Sequence, residues 1–116
     1  MWNDPLDDEV MDDLRSAMGS AAPYSHVTDN GIGGFVFNVK RGTGYVFSEQ
    51  AVNRFCLLNG TSHLIRAHEL VMSGYLLHFG GKAMTVFSSS AYCSESNTAA
   101  CILVQDHLMT PVQITT

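Results

Sequence analysis

Residues 65–75 read IRAHELVMSGY, and the course of the chain through them decides the fold. Leu64, Ile65 and Ala67, on either side of Arg66, have the content of a short buried strand, and His68 stands where that strand ends. Strand ends commonly carry sites, because the loops there are exposed above a rigid base. A single histidine in such a place, taken without its surroundings, is more often structural than a ligand.

Toward the C-terminus, β-rich residues 74–79 and 82–87 flank Gly80-Gly81, which predicts a tight hairpin with Tyr75, Leu77 and Phe79 on one face of its first strand. Residues 88–98 are polar and irregular, with Tyr92-Cys93 in their middle. Residues 99–104, AACILV, predict a strand buried on both faces. Asp106-His107 turns the chain into a last strand over about 108–114, where Pro111 requires an edge or a bulge.

Toward the N-terminus, Ser48 is an N-cap for a helix running through Leu58, with Ala51, Val52, Phe55 and Cys56 as its inner face and Asn59-Gly60 as its stop. Before it come a short strand, Tyr45-Val46-Phe47, and an earlier one at 35–39, FVFNV, with Phe35, Phe37 and Val39 on one face. Residues 19–34 are rich in Gly, Ser, Ala and Asn, and predict a loop insertion beginning near residue 16. Its glycines follow no strand, so they do not cradle phosphate. Leu6, Val10, Met11 and Leu14 suggest a short helix with one apolar edge. Asp4, Asp7, Asp8, Glu9, Asp12 and Asp13 lack calcium-loop spacing and read as a solvated acidic segment. The layout is α+β: one clear helix and strands that pair locally in mostly antiparallel or mixed fashion.

The 116 residues, 46% hydrophobic and 15% charged, suit one globular unit or a piece of a larger one. With a net charge of −5 and only six Lys and Arg, no basic patch for nucleic acid is visible. No apolar run approaches a membrane span, and the acidic start is neither a secretory signal nor a transit peptide. Cys56, Cys93 and Cys101 have no CxxC spacing; Cys56 and Cys101 lie in apolar runs and are expected to pack as small hydrophobes, which fits a reducing compartment, cytoplasmic or nuclear. His26, His63, His78 and His107 share no ligand spacing and are expected in surface or packing roles.

Five blocks stand in order along the chain: Trp2-Asn3-Asp4-Pro5, Arg41-Gly42, Ile65-Arg66-Ala67-His68-Glu69 with Gly74-Tyr75, Thr85-Val86-Phe87-Ser88, and Tyr92-Cys93. In this order they resemble the C-terminal third of the phosphoprotein phosphatase family, within the calcineurin-like metallophosphoesterases. The resemblance implies the C-terminal part of a β-sandwich flanked by helices, spanning residues 1–116, and a two-metal phosphoesterase site at its edge. It makes His68 a metal ligand, gives Arg41 and Tyr92 to the substrate phosphate and its groove, and makes Cys93 a contact for inhibitors. It also implies phosphoprotein substrates and regulatory subunits as partners.

The chemistry suits those residue types. Two divalent ions, whether manganese, iron or zinc, can activate a bridging water and offset charge on phosphate oxygens. Neutral imidazole is a good ligand for such ions. A guanidinium forks onto two phosphate oxygens, which Lys40 would do less well. No covalent phosphoenzyme is expected at Cys93, because residues 94–101 supply no Arg.

Several departures accompany the resemblance. Asn3 stands where Ser is usual, the interval from Pro5 to Arg41 is long, Ser90-Ala91 precedes Tyr92 where Pro-Asn is usual, and Ser94-Glu95-Ser96 lacks the usual glycine or aromatic. The Gly-Asp-x-His-Gly, Gly-Asp-x-Val-Asp-Arg-Gly and Gly-Asn-His-Glu blocks that carry the family's other ligands are absent from this sequence. The expectation is therefore a partial sequence of a larger phosphatase, with one metal ligand present and no activity by itself. The alternative is a catalytically inactive phosphatase-like module that binds or regulates.

Overall fold

The computed structural model describes residues 3–6, 34–38 and 40–115. It divides into two compact units, Met1–Ser62 and His63–Thr116, and each is taken by itself. The expected helix of Val10, Met11 and Leu14, the body of the insertion, Val39 and the acidic residues from Asp7 to Asp13 lie outside the described residues.

In the first unit, strands β1 (Asp4–Pro5), β2 (Phe35–Phe37) and β3 (Tyr45–Phe47) form one sheet in the order β1-β3-β2. β1 runs parallel to β3, with Asp4 opposite Val46, and β2 runs antiparallel, with Phe37 opposite Tyr45. Central β3 is buried at Val46 and Phe47, 1% and 6% exposed, and β1 is buried beside it. The aromatic face of Phe35, Phe37 and Tyr45 is exposed, and the Phe35 and Tyr45 rings meet edge to face at 6.5 Å.

The predicted helix is present as α1 (Glu49–Asn59). Ser48 Oγ accepts the Ala51 N–H at 3.4 Å, and Gly60, at φ 62°, ends the helix by donating its N–H to the Cys56 carbonyl. Gly34, at φ 85°, is the close neighbour that makes this cap fit; a Cβ there would stand 2.5 Å from Ser48 Oγ and 2.9 Å from the Ala51 nitrogen. The expected inner face is only half realised. Ala51 and Val52 are buried, but Phe55 is 49% exposed. Strands of two or three residues reach only about 10 Å, whereas the 11 residues of α1 run about 16 Å. Among the described residues, only the first turn of α1 finds cover.

In the second unit, β4 (Leu64–Arg66), β5 (Tyr75–His78) and β6 (Ala83–Val86) are ordered β4-β6-β5, with β4 parallel and β5 antiparallel to β6. The Gly80-Gly81 hairpin forms as predicted, through a short 3-10 turn at Phe79–Gly81. Central β6 is buried at Ala83, Met84 and Thr85. β4 is an edge strand, and Ile65 is 43% exposed, which corrects the expectation of a buried strand. In β5 Tyr75 is half-buried and Leu77 exposed on one face, and on the other Leu76 is exposed while His78 is buried.

β7 (Ala99–Gln105) and β8 (Leu108–Ile114) make an antiparallel ribbon closed by Asp106 and His107. Both turn residues have positive φ, 48° and 64°, as a two-residue turn of this twist requires. Pro111, opposite Ile102, lies on β8, which among the described residues pairs only with β7, as its missing N–H demands. β7 is not buried on both faces. Ala99 and Ala100 are buried, but Leu103 and Val104 are 52% and 63% exposed, and Cys101 is exposed too. The ribbon has no further described strand beside it, so only its first residues are covered. They are covered closely: Gly74, at φ 83°, would bring a Cβ within 2.7 Å of the Ala99 carbonyl carbon.

Candidate phosphate and metal residues

His68 follows β4 with φ 83°, a left-handed conformation that costs a non-glycine residue about 1–2 kcal/mol. Its side chain is exposed. The turn is braced on both sides of it. Arg66 Nη1 pairs with Glu69 Oε2 and donates to Thr85 Oγ1 at 3.1 Å, and the same hydroxyl meets His78 Nε2 at 2.7 Å. A polar chain therefore runs from the buried His78 through β6 to the two residues that flank His68. Backbone strain of this kind persists where neighbours over-determine it, and it concentrates at sites.

Arg41 lies in the turn between β2 and β3 in the first unit. Its guanidinium forks onto Asp4, Nε to Oδ2 and Nη2 to Oδ1, the latter at 2.9 Å. Asn38 completes the arrangement. Its Nδ2 donates to Asp4 Oδ2 at 2.7 Å and its Oδ1 accepts the Arg41 N–H at 3.2 Å. Asp4 is 6% and Asn38 3% exposed. Asp4 is thus no part of a solvated acidic surface, because the guanidinium and the Asn38 amide replace its water.

Tyr92, Cys93 and Ser94 form a short 3-10 turn in the second unit. Ala91, Cys93 and Ser94 all have positive φ, at 49°, 51° and 69°. Buried Asn97 holds the loop in this form: its Oδ1 accepts the Tyr92 N–H at 2.9 Å, and its Nδ2 donates to the Ser89 carbonyl at 2.7 Å. The Tyr92 ring is 47% exposed and stands edge to face on Phe87 at 5.1 Å. Cys93 is an exposed thiol. Asp4, Asn38, Asn97 and the Arg66–Glu69 pair were not singled out from the sequence for these roles. Asp4 carried a hint in its block with Pro5, whereas nothing marks Asn97 among the polar residues around it.

Among the described residues, no group of three or more His, Cys, Asp and Glu could hold a metal ion. One exposed imidazole does not fit a two-metal centre by itself, since each ion needs several ligands.

No protein-family profile matches the chain. Curated proteins and solved structures do. The chain is 38% identical over 63 residues to the serine/threonine-protein phosphatase PP2A-like PPG1 of Candida albicans, covering 54% of this chain and 15% of that protein. It is 40% identical over 76 residues to serine/threonine-protein phosphatase T of Aspergillus oryzae, covering 65% of this chain and 16% of that one. The chain is similar to a part of serine/threonine phosphatases of the phosphoprotein phosphatase family. A solved serine/threonine phosphatase from Saccharomyces cerevisiae, described as similar to human phosphatase PP5, superposes with a TM-score of 0.60 at 27% identity, over 69% of this chain and 29% of that one. The chain thus spans about 15% of the length of the curated phosphatases it matches. Among the described residues, the α+β arrangement of a helix and mixed sheets is that of the corresponding part of a phosphatase fold.

Proposed function

We propose that this chain forms part of a metal-dependent serine/threonine phosphatase site that hydrolyses phosphoserine and phosphothreonine in proteins. The supporting observation is its 40% identity to phosphatase T of Aspergillus oryzae over 76 residues. In this role Arg41 binds phosphate oxygens, Tyr92 lines a substrate groove, and His68 offers one imidazole to a pair of divalent ions. The ions would supply an activated water and charge neutralisation, as two-metal sites do. Their other ligands come from a part of the catalytic domain that this sequence does not contain, so the chain by itself is inactive. Phosphoproteins are the substrates, and regulatory subunits are the expected partners.

A chimera tests this. Residues 34–115 replace the matching part of phosphatase T, and hydrolysis of phosphoserine and phosphothreonine peptides is followed with manganese. The expected result is turnover that His68→Ala abolishes, with none from the chain alone. A folded, manganese-loaded chimera without turnover would instead identify the chain as an inactive binding or regulatory module.

A further inference from the structure

We infer that Asp4 is a positioning residue for Arg41, fixing the direction from which the guanidinium meets a phosphate. The inference rests on the phosphate-binding role of Arg41 proposed above. Arg41 meets Asp4 through Nε and Nη2, the side edge of the fork. Both contacts lie on the side edge, whereas the end edge of a guanidinium, between Nη1 and Nη2, has the geometry that grips two oxygens of one phosphate. The Arg41 side chain is 25% exposed while that of Asp4 is 8% exposed, so the carboxylate is the more deeply buried partner of the pair.

The anchor is itself fixed. Asp4 lies on β1, locked beside Val46 of β3. Asn38 ties the carboxylate to the turn that carries Arg41, because its carbonyl accepts the Gly42 N–H at 3.0 Å and its own N–H donates to Gly44 at 3.0 Å. A flexible arginine must surrender rotamer freedom when it binds an anion. Here the freedom is surrendered on folding, and the phosphate meets a guanidinium already held in place. Asp4 also lowers the net positive charge near the ligand. Positioning therefore predicts that removing the carboxylate weakens binding, whereas a competing latch would predict that removal tightens it.

The test is a titration of the full chain with inorganic phosphate, read in the nitrogen–proton NMR signals of the arginine side chains. In the unmodified chain the Arg41 Nε–H should be protected from exchange and the Arg41 signals should move with phosphate. Asp4→Asn, with its circular dichroism unchanged, should weaken that response by roughly tenfold. Asp4→Glu keeps the charge but moves it by one methylene, and should weaken the response while retaining the pair; it serves if Asp4→Asn does not fold. Unchanged or tighter phosphate binding in the folded variant overturns the positioning role. If Arg41→Ala abolishes binding in that case, the phosphate role of Arg41 survives alone. If Arg41→Ala leaves the phosphate response of the chain intact, the phosphate role fails and the positioning role fails with it.

Discussion

Arg66 and Glu69 are joined across His68, the guanidinium of one on the carboxylate of the other, three residues apart. The bridge closes a turn whose central residue is left-handed, and Thr85 fastens it to the buried strand beneath. Arg66 is 11% and Glu69 32% exposed, so solvent screens the pair only in part. Glu69→Gln is expected to cost about 1 kcal/mol in urea unfolding. Hydrogen exchange at the His68 amide should rise with it, and unchanged exchange would show that the bridge does not hold the turn.

Gly74 and Gly80 both have positive φ, but they differ in what surrounds them. A Cβ on Gly74 meets the Ala99–Ala100 backbone within 2.8 Å, whereas one on Gly80 meets open space. Gly74→Ala should therefore destabilise the second unit by roughly 3 kcal/mol, combining conformational strain with overpacking. Gly80→Ala should cost about 1 kcal/mol, from strain alone. Thermal melts of the two variants compare them directly, and equal losses would contradict the close approach of β5 and β7.

Ser48 caps α1 and is itself 6% exposed. Ser48→Ala should lower stability by about 1 kcal/mol. Ser48→Asp, which preserves an acceptor, should retain more of it. Loss of helical circular dichroism ahead of global unfolding is the sign to look for, and full stability in Ser48→Ala would count against the cap.

Asn97 joins Tyr92 to Ser89 from inside the polar loop, and it is 3% exposed. Asn97→Ala leaves the Tyr92 N–H and the Ser89 carbonyl without this partner, at a cost of about 2 kcal/mol. The loop should then open locally, and glutamate-specific proteolysis at Glu95 should accelerate. A cleavage rate equal to that of the unmodified chain would mean that the positive-φ residues hold their form without Asn97.

How much of this was legible in the sequence follows from the range of the interactions involved. Ser48, Asn59-Gly60, Gly80-Gly81, Asp106-His107 and Pro111 act on their own neighbours, and each formed the cap, stop, turn or edge that its chemistry dictates. The ordered blocks around His68 were enough to show the likeness to the phosphoprotein phosphatases, because motif spacing is a property of sequence alone. Burial was not legible in the same way. AACILV looks like a two-sided core strand, and Phe55 looks like an inner residue, but whether an apolar side chain is covered depends on elements far away in the chain. The same limit hid the pairing of Asp4 with Arg41, 37 residues apart. An aspartate in an acidic run and one desolvated under a guanidinium have identical local sequences, and only the pairing of β1 with β3 decided which of these Asp4 would be.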